Sequence, residues 1–314
     1  MDDEAPEATR TISRRSASIL GVSWLAALLG CRKDGDGTGA DGGSSPVSPV
    51  GTAHDAARVR QVAARVATHS EAEILVEARR IGPMVSSIVA AVGRSLAPGA
   101  TTASVAERLV RESRPLALEP AMLGYGGFPA VAAVSVNDEI VHAPPSGRTL
   151  VAGDLVKIQY TVRSGAAFAA QGWTFPVGEP SAADRELLAT GRRALERALA
   201  VVLPGSRVGH LSAAIQGAVE EAGLAVVREY VGYGMGKAML QDPQIPGYGK
   251  AGRGVRLEQG WVLNLHAIVK RGTAGIRIGD DQWTAVAEDG ERGVLCACTL
   301  EVTADGHRLL TPLL

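Results

Sequence analysis

Two thiols one residue apart, Cys296 and Cys298, flank Ala297 near the end of the chain. A thiolate beside a base would be a nucleophile. Residues 294–302, however, read as a strand, and period-two alternation puts both thiols on the face opposite Ala297, as core groups. Ser135 and His142 supply a hydroxyl and an imidazole close in sequence, but the alternation gives no reason to pair them. Gly232-Tyr233-Gly234-Met235-Gly236 has the glycine density of a phosphate loop. It lacks the lysine and the strand-to-helix setting that such a loop needs.

The elements that must position these groups are legible in outline. Apolar spacing predicts helices over 54–68 and 71–96, the second broken or kinked at Pro83. Pro98-Gly99 stops it, and a helix over 100–114 follows, capped by Thr101 or Thr102. Strands are expected over 131–136, 139–142 and 155–162, the last after the turn Gly153-Asp154. Helices over 182–202, stopped by Leu203-Pro204-Gly205, and over 210–222 come next. Strands over 226–231, 261–269, 283–288 and 294–302 complete the chain. The halves echo each other. Each has a long helix, a Pro-Gly stop, a short helix with apolar residues at matching offsets (Val105 and Leu109; Leu211 and Ile215), and then a Gly-Tyr-Gly at 124–126 or 232–234. Duplication explains three matches in register. The expected result is an α+β domain of antiparallel sheet covered by helices, with a site between the halves.

Composition narrows the function classes. Of 314 residues, 32 are Lys or Arg and 33 are Asp or Glu, for a net charge of -1. That balance, with only 4% aromatic residues, excludes a basic nucleic-acid binder and a stacking platform for single strands. The N-terminus reads as an address. A polar stretch ends in Arg14-Arg15, and an apolar run over 16–29, too short to span a bilayer, stops at Leu28-Leu29-Gly30-Cys31. The ending resembles a bacterial lipoprotein cleavage box with Cys31 as the acylated residue. Ser13-Arg14-Arg15 resembles a twin-arginine export signal. Residues 32–53 are rich in Gly, Ser, Pro and Asp, a flexible tether. The expected organisation is a signal segment (1–31), a linker (32–53) and one domain (54–314), exported and held on the bacterial cell envelope by lipid.

Three runs carry a family likeness: Leu123-Gly124-Tyr125-Gly126-Gly127-Phe128-Pro129, then Ser135-Val136-Asn137-Asp138-Glu139-Ile140-Val141-His142, then Gly153-Asp154-Leu155-Val156-Lys157-Ile158. So do residues 227–236, Asp242-Pro243-Gln244-Ile245 and Trp283-Thr284. Over about residues 72–312 the chain resembles the type I methionine aminopeptidases. The resemblance implies the pita-bread fold, two pseudo-symmetric halves, and a two-metal hydrolase whose ligands are two aspartates, a histidine and two glutamates. Hard divalent ions about 3.5–4 Å apart need such anionic oxygens, and together they turn a bridging water into hydroxide.

Carried onto this chain, the five ligand positions fall on Gln159, Ala170, Tyr233, His266 and Ala297, so none keeps the family's residue. Of two histidines that assist the substrate, one is kept as His142 and the other is Leu240. No metal cofactor is therefore expected. Tyr125, Phe128, His142, Met239 and Trp283 fall where the family shapes the pocket for the substrate's first side chain. The leading expectation is a pseudoenzyme that binds a peptide or protein partner in a retained cleft. The alternative is an active hydrolase with a rebuilt single-metal or metal-free site, using His142 as catalytic group with His266, and with Gln159 and Tyr233 beside them.

Overall fold

Ser70 and Glu73 open the first helix by capping each other. Ser70 Oγ accepts from the Glu73 N–H at 3.3 Å, and the Glu73 carboxylate accepts from the Ser70 N–H at 2.7 Å. The computed structural model describes residues 70–314. The expected signal segment, the linker and the helix over 54–68 lie outside the described residues.

Helix α1 spans Glu71–Arg94 without a break. Pro83 sits on its exposed side, where water can reach the carbonyl that the proline leaves unpaired, so the expected kink does not end the helix. Helix α2 is Thr102–Ser113, α3 is Ala182–Leu199 and α4 is Val208–Glu220. The strands are β1 (Glu119–Pro120), β2 (Ala133–Val136), β3 (Glu139–Val141), β4 (Leu155–Ser164), β5 (Ala167–Pro176), β6 (Ala225–Val226), β7 (Gly232–Met235), β8 (Gln241–Ile245), β9 (Val262–Lys270), β10 (Ile276–Ile278), β11 (Ala285–Ala287), β12 (Gly293–Thr303) and β13 (Gly306–Leu309).

Ten strands form one antiparallel sheet with the path β1-β4-β5-β12-β9-β7-β8, and β10-β11-β3 form a second, smaller sheet. Of these, β1, β5, β7, β8, β10 and β13 have no counterpart among the strands expected from the sequence. The strand expected over 226–231 is shorter than its pattern. Only Ala225–Val226 pairs with β9, and Val227 N still donates to Ile268 O at 3.1 Å before the chain leaves the sheet.

The duplication is visible bond by bond. Thr101 bridges Thr149, and Arg207 bridges Arg256. Gly99 N donates to Leu150 O, and Gly205 N to Leu257 O, each at 2.9 Å; both glycines hold positive φ, 90° and 81°. Even the cap is repeated. Ser104 Oγ accepts from the Thr101 N–H at 3.2 Å, and His210 Nδ1 accepts from the Arg207 N–H at 2.9 Å.

The halves meet where β5 lies against β12, and side chains stitch that seam. Only Ala297 and Gly172 pair directly. Thr299 Oγ1 accepts from Ala170 N and donates to Ala170 O at 3.1 and 2.8 Å. Gln171 Nε2 donates to Ala297 O at 2.8 Å, and Thr174 Oγ1 donates to Leu295 O at 2.9 Å.

The two faces of β12 feed two cores. Cys296 and Cys298 belong to the larger core under the helices, and Cys296 Sγ lies at Gly191 of α3. Leu295 and Ala297 belong to a smaller core with Ile140, Val227, Ile268 and Ala285, between the large sheet and the small one. The alternation read from the sequence is therefore correct, and both thiols point away from Ala297.

Candidate functional site

The inner face of the large sheet, turned away from the helices, gathers all five positions that the resemblance assigns to metal ligands. Gln159 pairs Gly172, Gly172 pairs Ala297, and Ala297 pairs His266, giving one row across β4, β5, β12 and β9. In the adjacent row Ala170 is tied to Thr299, Thr299 pairs Asn264, and Asn264 pairs Tyr233.

The chemistry of the two rows is neutral. Gln159 and His266 are buried, at 9% and 6% exposure, and Ala170 and Ala297 offer only methyl groups. Tyr233 is half-buried, and its ring meets that of His266 edge-on with centroids 5.3 Å apart. Burial, helped by nearby His142, lowers the His266 imidazole to about 3, so it is uncharged at neutral pH. Burial, with Tyr125 adding to it, raises the Tyr233 phenol above its ordinary range, so it too is neutral. Two carbonyl oxygens on this face, Gln159 Oε1 and Asn264 Oδ1, are buried without a hydrogen-bond partner.

A box of rings stands beside these rows. His142 follows β3 and holds a positive φ of 62°, uncommon for a residue with a side chain. Its ring meets Tyr230 edge-on at 4.8 Å and Phe128 at 6.5 Å. Phe128 in turn meets Trp283 edge-on at 5.4 Å. Burial lowers His142 to about 4 and, with the charge of Glu229 adding to it, pushes Tyr230 up to about 12. Phe128 is 1% exposed, whereas His142, Tyr230 and Trp283 keep partial access to solvent and form a rim.

Tyr125, in a short turn at Tyr125–Gly127, is half-buried, and its side chain is hydrogen-bonded to the backbone of Leu240. That bond joins the first half of the chain to the second across the mouth. Met239, expected in the pocket, is buried at 4% exposure, in the cluster that also holds Ala170 and packs against Tyr125 and Tyr233. Ser135 is not a nucleophile beside His142: its Oγ accepts from Ala143 N at 3.1 Å and braces the turn after β3.

Three participants were missed in the sequence. Tyr230 lies within a segment expected to be strand, and the chain's early exit from β6 turns its ring onto His142. Asn264 and Thr299 face inward because they stand two residues from His266 and Ala297. That period-two offset was the signal that could have found them.

Two pseudo-symmetric halves and an antiparallel sheet backed by helices on one face define the pita-bread class of hydrolase folds. Metallopeptidase family M24 matches residues 77–284. Methionine aminopeptidase 1 of Bacillus subtilis is 35% identical over 236 residues, covering 74% of this chain and 94% of the relative. Methionine aminopeptidase 1 of Mycobacterium tuberculosis is 35% identical over 246 residues, covering 73% and 89%. Among solved structures, the methionine aminopeptidase of Thermotoga maritima superposes with a TM-score of 0.74 at 33% identity, covering 76% of this chain and 96% of that one. The prolidase from Pyrococcus furiosus shares the fold, with a TM-score of 0.62 at 19% identity over 79% of this chain and 65% of that one. The chain belongs to metallopeptidase family M24.

The family implies divalent metal, and the residues of the two rows do not fit it. Two adjacent divalent ions in a part-buried cleft need anionic ligands to offset their charge. The rows offer an amide, a neutral imidazole, a protonated phenol and two methyl groups. Among the described residues, no three His, Cys, Asp or Glu side chains are grouped so as to hold a metal ion.

Proposed function

We propose that this chain is a methionine-aminopeptidase-like protein without the dinuclear metal chemistry of its family, used to bind a peptide or protein partner. The observation that carries this reading is the neutral pair of rows, with Gln159, Ala170, Tyr233, His266 and Ala297 together on one sheet face. Nothing in those rows can neutralise metal ions or generate a hydroxide from water. The box of Phe128, His142, Tyr230 and Trp283 supports the binding half of the reading. Burying a Leu or Met side chain there would contribute about 1.5–3 kcal/mol.

The proposal extends to location. The segment ending Leu28-Leu29-Gly30-Cys31 and the tether after it support an exported lipoprotein, anchored through Cys31. Mass spectrometry of the membrane-extracted chain tests that part: a mature N-terminus at Cys31 bearing lipid is expected, and an unprocessed Met1 terminus would refute it.

The main test is an assay with N-terminal Met and Leu peptides, with cobalt, manganese, zinc or iron supplied in turn. Binding at millimolar concentration without turnover is expected. The second reading, a rebuilt hydrolase, draws on His142 and His266, which are both neutral and near enough to influence each other. It would be favoured by a measurable activity that His142→Ala abolishes without lowering thermal stability.

A further inference from the structure

The two halves make the same backbone bonds around their short helices, but with different side chains. Thr102 N donates to Arg148 O and Ala103 N to Ser146 O in the first half; Val208 N donates to Val255 O and Gly209 N to Arg253 O in the second. The bridge that joins Thr101 to Thr149 becomes one that joins Arg207 to Arg256. Ala97 stands before the first Pro-Gly stop, and Leu203 before the second. The first half thus builds this corner with small or paired groups, Arg148 being held by Glu139 at 2.7 Å. The second builds it with Arg207, Arg253, Arg256 and nearby Lys250 around Leu203 and Val255, which are 47% and 51% exposed. The fold does not require these residues, because the same bonds form without them.

No acidic residue lies between Asp242 and Glu258, and residues 249–256 are all exposed. Among the described residues, no carboxylate pairs with Arg207, Lys250, Arg253 or Arg256, whereas Arg192, Arg193 and Arg197 of α3 are each paired with a glutamate. Arg207 Nη1 donates to Gly254 O at 2.7 Å and Arg256 Nη1 to Gly205 O at 3.3 Å, so backbone carbonyls hold both cations at one edge. The first N–H groups of α4 already have backbone acceptors, and the positive charge here resides in side chains.

We propose that this face, Arg207, Lys250, Arg253 and Arg256 about Leu203 and Val255, docks on an anionic lipid surface. Its cations meet headgroup phosphates, and its two exposed aliphatic side chains enter the headgroup boundary. The position of the patch fits that partner. Glu71 and Ile74, at the start of α1, line one pocket with Gly260 and Trp261, and Gly260 follows Arg256 within about 15 Å even at full extension. The described chain therefore begins close to the patch, and residues 32–69 join it to Cys31. A lipid surface held near by such a join meets the patch at high effective concentration, so a weak contact suffices. The proposal rests on the lipoprotein reading for that nearness and adds to it a docking face on the folded domain.

Vesicle flotation of the full chain carrying Cys31→Ser, which no lipid can anchor, tests it. The vesicles are phosphatidylcholine alone or mixed with phosphatidylglycerol. Binding should favour the mixed vesicles and weaken as salt rises. Lys250→Glu/Arg253→Glu/Arg256→Glu should weaken it by about tenfold or more. Arg94→Glu/Arg111→Glu/Arg114→Glu makes the same change in net charge, near Glu107 and Glu112, and should leave it within about twofold. The apolar run over 16–29 is common to every variant, so the differences read the patch alone. Should the triple variant fail to fold, Lys250→Glu alone should still show a several-fold loss. Equal losses in the two triple variants, or no preference for phosphatidylglycerol, overturn the proposal. Patch-dependent capture of a uridine oligomer without capture of vesicles overturns it in favour of nucleic acid. None of these outcomes bears on lipid at Cys31, which the mass of the mature N-terminus decides separately.

Discussion

The ring of Tyr233 rests edge-on against the imidazole of His266, with centroids 5.3 Å apart. These two side chains stand where the resemblance places a histidine and a glutamate ligand. They contact each other across β7 and β9, and burial keeps both neutral. Restoring one ligand type alone would therefore leave most of the donor set missing. Tyr233→His alone should show no rise in melting temperature on adding cobalt or manganese. The fivefold variant Gln159→Asp, Ala170→Asp, Tyr233→His, His266→Glu and Ala297→Glu should be destabilised without metal and regain several degrees with it, because metal bound only to the folded chain stabilises it. A wild-type melting temperature that rises with added metal would contradict the account.

Acid should weaken the fold through the two cleft imidazoles. Folded, His142 and His266 stay neutral down to about 4 and about 3, against an ordinary value of 6.5. In the window between, the unfolded chain binds more protons than the folded one. Stability is therefore full above pH 6.5 and falls as pH drops toward 4, by on the order of a few kcal/mol for the pair. Denaturant midpoints across that window should fall less steeply in His142→Phe/His266→Phe than in wild type. Parallel slopes would refute it.

The two strand thiols should be inert in the folded chain. Burial pushes Cys296 up to about 12 and raises Cys298 further, so neither offers thiolate at neutral pH. Mass mapping after iodoacetamide should find them unmodified in native protein and fully modified in guanidinium. Rapid native labelling of either would reopen a nucleophilic role.

Gly209 shows how tightly the repeated bridge packs. Its N–H donates to Arg253 O at 2.9 Å, and a Cβ there would collide with the carbonyls of Lys250 and Arg253. Gly209→Ala should cost about 1–3 kcal/mol, a melting temperature lower by several degrees. Gly217→Ala, in the same helix with open space around it, should be neutral or slightly stabilising.

Much of this architecture is legible in the chain because local chemistry and fold agree. The Pro-Gly stops, the Thr101 cap and the Gly153-Asp154 turn mark element ends, and the repeated spacing reveals the two halves before any contact is seen. Strand β5 is hidden because Ala167, Ala169, Ala170 and Gly172 carry none of the branched bulk that marks a strand. Its small residues suit the seam, where a Cβ at Gly172 would press on Ala297 and Leu295. Strand β7 is half glycine and β8 carries Pro243 and Asp242, residue types depleted in strands, and β10 and β13 hold only three and four residues. Tyr230 and Asn264 were missed because their roles depend on where neighbouring strands end and on which face they share, which no single segment states.

Metal content per chain separates a metal-free sheet face from a rebuilt metal site. The protein would be purified without chelators, offered cobalt, manganese, zinc and iron, freed of unbound ions and analysed for its elements. The neutral rows of Gln159, Ala170, Tyr233, His266 and Ala297 predict well under one ion per chain. One or more tightly held ions, lost on His142→Ala or His266→Ala, would contradict the account and show a rebuilt metal site.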